Sequence, residues 1–151
     1  MQRITPFLWF DGKAEEAMNF YVSIFENSRI LGVSRGPDGN ATSVTFELDG
    51  QPFMAFNAGP EFKFNEAISL FVHCETQDEV DEYWAKLSAG GGEGQCGWLK
   101  DRYGLWWQVI PSVLGELMND KDAAKAGRVT QAMLQMKKID IAALRRAYDN
   151  R

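Results

Sequence analysis

The sequence predicts an α+β fold of two tandem βαβββ modules followed by C-terminal helices. Three observations carry that prediction. Strand-like alternation and helical spacing follow one another in the same order twice, turn residues separate the strands, and beyond Pro111 the apolar spacing becomes helical throughout. The two halves repeat in architecture, without obvious repetition of sequence.

The first module opens with a strand over residues 4–10. Asp11 is then placed to cap a helix whose Ala14, Ala17, Met18, Tyr21 and Phe25 fall at i, i+3, i+4, i+7 and i+11. Glu15 and Glu16 suit the positive end of that helix. Three strands follow around residues 29–35, 42–48 and 51–57, divided by PDGN and DGQP turns. Pro52 stands at the start of its strand, where a missing N–H is tolerated.

In the second module residues 67–74 read as a strand. Thr76-x-x-Glu79 is a capping box that opens a helix carrying Val80, Tyr83, Trp84 and Leu87, and Gly90 to Gly92 end it. A short extended segment near Gln95, a strand at 98–100, the turn Asp101-Arg102-Tyr103-Gly104 and a last strand up to Ile110 complete the unit. One helix is then spaced by Ala126, Val129, Met133 and Met136, and Asp140 caps another bearing Ile141, Leu144 and Tyr148. The expected division is a paired-module domain over 1–112 and a helical extension over 113–151.

Composition limits the functions available. A chain of 151 residues, 45% hydrophobic and 13% aromatic, buries one sizeable core. No apolar run approaches the roughly 20 residues of a membrane span, and MQRITPF lacks the basic-then-apolar pattern of a signal peptide, so a cytoplasmic protein without membrane partners is expected. Cys74 and Cys96 are too few for a disulfide scaffold and read as buried reduced thiols. Net charge is −5, which argues against nucleic acid as a partner. From Lys121 onward there are eight Lys/Arg against three Asp/Glu, whereas the preceding part carries eight against eighteen. A basic tail can therefore lie against an acidic body, its own or a partner's, or stand as a solvated helical appendage.

The last strand holds the most informative position. In LWWQVI, alternation puts Trp106, Gln108 and Ile110 on one face, so a single amide sits in an otherwise apolar run. Residues 100-KDRYGLWWQV-109, in which a Lys-Asp-x-x-Gly turn feeds the last strand of a paired βαβββ unit, resemble the vicinal oxygen chelate superfamily of glyoxalases, extradiol dioxygenases and bleomycin-resistance proteins. Within it, ITPFLWFDGKAEEAMNFY, AGP at 58–60, CGWLKDRYG and QAMLQMKKIDIAAL are similar to the PhnB-like subfamily, often labelled 3-demethylubiquinone-9 3-methyltransferase. The resemblance covers essentially the whole chain.

It implies that each module curls its sheet into half of a cup, with metal ligands on the first and last strands of each module. Those positions carry over to Thr5, Ala55, Ala67 and Gln108. Three of the four offer neither imidazole nor carboxylate, so no metal and no cofactor is expected, with Gln108 standing where metal-dependent relatives often have glutamate. Parity from these positions assigns to the cup Thr5, Phe7, Trp9, Phe53, Asn57, Ser69, Phe71, Trp106 and Gln108, with His73 at its rim. Apolar walls with sparse directional groups suit a small apolar or aromatic ligand; the alternative is an aromatic core that packs on itself. His73, the only histidine, has no second imidazole to make a base or ligand pair, although Glu75 is its i+2 neighbour.

Gly92 to Gly97 also satisfy G-x-G-x-x-G. They follow a helix and precede a strand, the wrong context for a nucleotide loop, so S-adenosylmethionine binding is not expected. The expectation is a metal-free small-molecule-binding protein, homodimeric as paired-module proteins often are. The alternatives are a metal-dependent lyase, isomerase or dioxygenase, or a ubiquinone-pathway methyltransferase on the strength of the label alone.

Overall fold

A computed structural model describes residues 2–151. The chain divides into two compact units, one ending at Lys63 and the other running Phe64–Arg151.

In the first unit β1 (Phe7–Phe10) is followed by α1 (Ala14–Ile24), β2 (Arg29–Arg35), β3 (Ala41–Leu48) and β4 (Gln51–Asn57), and the sheet order is β1-β4-β3-β2. The β3–β4 hairpin sets the register. Asp49 and Gly50 both have positive φ, 48° and 77°, the pair of conformations a two-residue type I′ turn requires. Leu48 thereby faces Gln51, Phe46 faces Phe53 and Val44 faces Ala55. Val44, Phe46 and Leu48 alternate with polar residues along β3 and are buried, so the hairpin carries Phe53 and Ala55 to the same face. Ala14, Ala17, Met18, Tyr21 and Ile24 of α1 cover that face.

Asp11 does not cap α1. The N-cap is Lys13, which makes no side-chain cap bond, and the Ala14 amide instead donates to Asn57 Oδ1 at 2.8 Å from the end of β4.

The second unit repeats the plan with β5 (Ser69–Cys74), α2 (Gln77–Ser88), β6 (Gly92–Glu93), β7 (Trp98–Lys100) and β8 (Trp106–Pro111), in the order β5-β8-β7-β6. β5 pairs with β8 in parallel, as β1 does with β4. Thr76 caps α2 as the sequence predicts, its hydroxyl accepting from the Glu79 amide at 3.2 Å, while Glu79 reaches back to the amide of Glu75 instead of Thr76. Val80, Trp84 and Leu87 of α2 are buried, as are Cys74, Leu99, Trp107 and Val109 of the strands beneath. The Lys-Asp-x-x-Gly turn is organised by Asp101, which is 1% exposed. Its Oδ1 accepts from the amides of Tyr103 and Leu105, and Oδ2 accepts from the indole of Trp107 at 2.8 Å. One buried carboxylate thus fixes a turn and the strand that leaves it.

Three helices follow: α3 (Ser112–Met118), α4 (Ala123–Leu134) and α5 (Ile141–Asp149). The sequence reading missed α3, a short helix entered directly from β8 through Pro111 with no capping side chain to announce it. Asp122 and Asp140 cap α4 and α5. Leu114, Val129, Ile139 and Leu144 form a core of their own with Ile110 of β8. Arg128 of α4 donates to the carbonyls of Ala147 and Tyr148 in the last turn of α5, where a cation offsets the negative end of the helix. Among the described residues no helix is long and apolar enough to cross a membrane.

Candidate ligand-binding faces

Each sheet has one face against its own module's helix and one that this helix does not cover. On the open face of the first sheet, Phe7 and Trp9 of β1 stand beside Met54 and Phe56 of β4, their partners in register. Phe7 is 53% exposed and Met54 40%. The rings make edge contacts: Phe7 with Phe56 at 5.0 Å, Trp9 with Phe56 at 5.1 Å, and Trp9 with Phe62 at 4.9 Å. The indole of Trp9 donates to the Gly59 carbonyl at 2.8 Å, so the AGP turn holds it in place.

Phe53 and Asn57, expected on this face with Phe7 and Trp9, lie on the other. Phe53 is buried and stacks on Phe46 at 5.5 Å, and the amide of Asn57 bridges the Ala14 N–H and the Ala41 carbonyl. Ala55 is fully buried on that helix side as well. The parity on β4 is therefore shifted by one residue, and Met54 and Phe56 take the open positions. Thr5 is half-buried and precedes β1, while Ala67 is exposed in the turn before β5.

On the second sheet the expected parity holds. Ser69, Phe71 and His73 of β5 stand opposite Trp106, Gln108 and Ile110 of β8, and Trp98 of β7 lies opposite Gln108 from the other side. The Gln108 amide donates from Nε2 to Ser69 Oγ at 2.9 Å, its one hydrogen bond among the described residues. Its Oε1 is left to solvent, because among the described residues no buried side-chain polar atom lacks a partner. Around this pair, Trp98 and Trp106 meet edge-on at 6.5 Å and are half-buried, and Phe71 is 46% exposed. His73 is exposed with its ring 4.6 Å from Phe71, and Glu75 accepts instead from the Ser112 hydroxyl at 3.0 Å. Ile110, on the same face, is buried by the extension.

The cysteines differ from one another. Burial pushes the Cys74 thiol up to about 12, with Glu79 and Glu75 adding in the same direction, so it stays protonated and inert. Cys96 is only half-buried, and its left-handed backbone at φ 58° serves the turn before β7.

Two glycines of the G-x-G-x-x-G stretch, Gly94 and Gly97, have packing reasons, while a Cβ at Gly92 would meet nothing within 4 Å. A Cβ at Gly94 would lie 2.7 Å from the Trp98 carbonyl oxygen, and one at Gly97 2.5 Å from Ile110 Cδ1. They belong to a tight β6–β7 hairpin and precede a strand.

Residues 2–110 match the family described as 3-demethylubiquinone-9 3-methyltransferase. A PhnB protein from Bacillus cereus, which bears the same family description, is 40% identical, with a TM-score of 0.70 over 74% of this chain and 100% of that one. The chain belongs to this family. Protein PA1353 from Pseudomonas aeruginosa shares the fold at 17% identity and a TM-score of 0.60, covering 74% of this chain and 98% of its own. The fosfomycin resistance protein FosX from Listeria monocytogenes does so at 16% and 0.58, covering 76% and 94%. No curated protein matches the chain. These likenesses identify the PhnB-like chain as a vicinal oxygen chelate superfamily member.

FosX has been seen in complex with Mn(II) and sulfate. In this chain the open face of the first sheet carries Phe7 and Trp9 of β1 with Met54 and Phe56 of β4, and that of the second carries Ser69, Phe71 and His73 of β5 with Trp106, Gln108 and Ile110 of β8. Among the described residues no three His, Cys, Asp or Glu side chains come together. His73 is the one imidazole or carboxylate among these open-face side chains, and a divalent cation asks for several such donors, so neither face fits one.

Proposed function

We propose that this PhnB-like protein binds a small apolar or aromatic molecule without a metal, acting by sequestration or as an accessory factor. The observation that carries the proposal is the Gln108–Ser69 pair on the open face of the second sheet. It is a fixed amide whose carbonyl oxygen is unengaged, set among Trp98, Trp106 and Phe71. Exposed aromatic surface around one directional polar group is the usual chemistry of a small-molecule site. The amide oxygen accepts from a ligand N–H or O–H, and the rings supply area.

The methyltransferase name requires a methyl donor. Calorimetric titration of S-adenosylmethionine is expected to give no heat of binding, and micromolar affinity would overturn the reading. Elemental analysis of protein purified without chelators is expected to show no stoichiometric zinc, manganese, iron or nickel. Native mass spectrometry addresses the ligand directly, with a retained small molecule as the expected result.

A further inference from the structure

We infer that the segment between α4 and α5, Met136 to Asp140, is a strap that walls off one end of the second sheet's open face. Buried Ile139 props that wall in place and so sets the length of a molecule lying there. The inference rests on the ligand site proposed above.

The strap lies outside the family match, which ends at residue 110. It is nonetheless bound to the module by side-chain and main-chain contacts. The amides of Cys96 and Gly97 donate to the carbonyls of Met136 and Lys137, both at 2.8 Å. The side-chain amide of Gln77 grips the next turn from the other side. Its Nε2 donates to the Ile139 carbonyl at 2.9 Å, and its Oε1 accepts from the Ile141 amide at 2.8 Å. One glutamine thus satisfies a main-chain acceptor and a main-chain donor, as a neighbouring strand would. Lys138 adds an ion pair to Asp81 at 2.8 Å.

These contacts seat Ile139, which is 0% exposed, on Ile110. A Cβ placed on Gly97 would meet Ile110 Cδ1 and Ile139 Cγ1 together, so the three positions adjoin. Ile110 is the next open-face residue after Gln108 on β8, roughly 7 Å further along the strand. Along β8 the exposed face therefore ends just past Gln108, against a wall made by a segment that the family match does not include, while His73 stays exposed beside it on β5. A ligand whose polar group meets Gln108 Oε1 has open surface toward Trp106 and a closed end toward Ile139.

The test uses N-alkylbenzamides with methyl to hexyl tails, titrated by calorimetry into the full chain. The phenyl ring suits Trp98 and Trp106, the amide suits Gln108, and the tail probes the wall. With wild type, affinity is expected to rise about fourfold per methylene and then fall at a cut-off length. In Ile139→Ala the cut-off is expected to move to tails at least one methylene longer. Gln77→Ala keeps Ile139 but loosens the grip, and is expected to blunt the cut-off; it also serves should the alanine at 139 fail to fold. Binding with the same sharp cut-off in both variants overturns the strap as a length filter and leaves the ligand site standing. Absence of binding by every member to wild type and variants overturns the site and the filter together.

Discussion

At the scale of single residues, Gln108 is the side chain whose surroundings best separate chemistry from packing. Gln108→Ala is expected to weaken binding of the benzamide probes by roughly 1–3 kcal/mol, the cost of leaving a partner's polar group unpaired, while added zinc or manganese leaves the titration unchanged. A fall in melting temperature with unaltered affinity would make it a structural amide. Asp101 is the contrasting case. Its carboxylate takes three donors in the interior, so Asp101→Ala is expected to cost roughly 3 kcal/mol or more, read as a lower denaturant midpoint. Gln108 was legible from strand alternation, since LWWQVI contains one polar residue to anchor the count, whereas Ser69 came by parity from Ala67, a position the family resemblance supplied. Phe53 and Asn57 were misplaced because β4 reads QPFMAFN, apolar at four consecutive positions, so that alternation says nothing about which face is which. The missing signal lay next door. Val44, Phe46 and Leu48 alternate cleanly, and the two-residue Asp49-Gly50 turn transfers their parity to Phe53 and Ala55. Asn57 was hidden further by its role as a tertiary cap for α1, a task that local capping rules assign to Asp11.

Among the elements, the two βαβββ units followed from turn and capping signals, whereas the helical extension followed only in part. Periodicity located α4 and α5, but it ran α4 on to Met136, where the chain has already left the helix to make the strap. The docking partner of that strap, Gln77, lies more than sixty residues away at the start of α2, beyond the reach of any local pattern. The ion pair in this region predicts a pH response. Hydrogen bonds from Lys138 first, and then from Gln77, hold the Asp81 carboxyl below its ordinary value. A carboxylate depressed in the folded state stabilises that state above its unfolded pKa and loses the contribution as pH falls through the folded one. Asp120, lowered by the Asp122 amide and the Tyr148 hydroxyl, acts in the same direction. Amide exchange at Cys96, Gly97 and Ile141, corrected for the intrinsic rate, is therefore expected to speed up below about pH 4 before the amides of β8 follow. Because Asp81 and Lys138 are both well exposed, high salt at neutral pH should reproduce only a small part of this. Simultaneous loss of protection in strap and sheet would show that the extension has no separate stability.

For the molecule as a whole, composition indicated one sizeable core, and contacts resolve two compact units with separate chain segments. The aromatic face of the first unit that α1 does not cover leaves Phe7, Met54 and Phe62 exposed, and contiguous apolar side chains of this kind suit an interface. We expect a homodimer: equilibrium sedimentation at micromolar concentration should report twice the 17.0 kDa chain mass, and a monomer would overturn the expectation. The sheet order also determines when each part of the chain finds its partner. In the first unit β2, β3 and β4 are neighbours in sequence and close over short loops, but β1 pairs only with β4, which begins at Gln51. Local hairpins form before long loops close, because the entropy of closure must be met before the contact rewards it. On a ribosome adding 5–20 residues per second, the segment Phe-Leu-Trp-Phe at 7–10 thus waits on the order of seconds for β4. The most apolar strand of the first unit is made first and sheltered last, so its exposure during synthesis is measured in time instead of area.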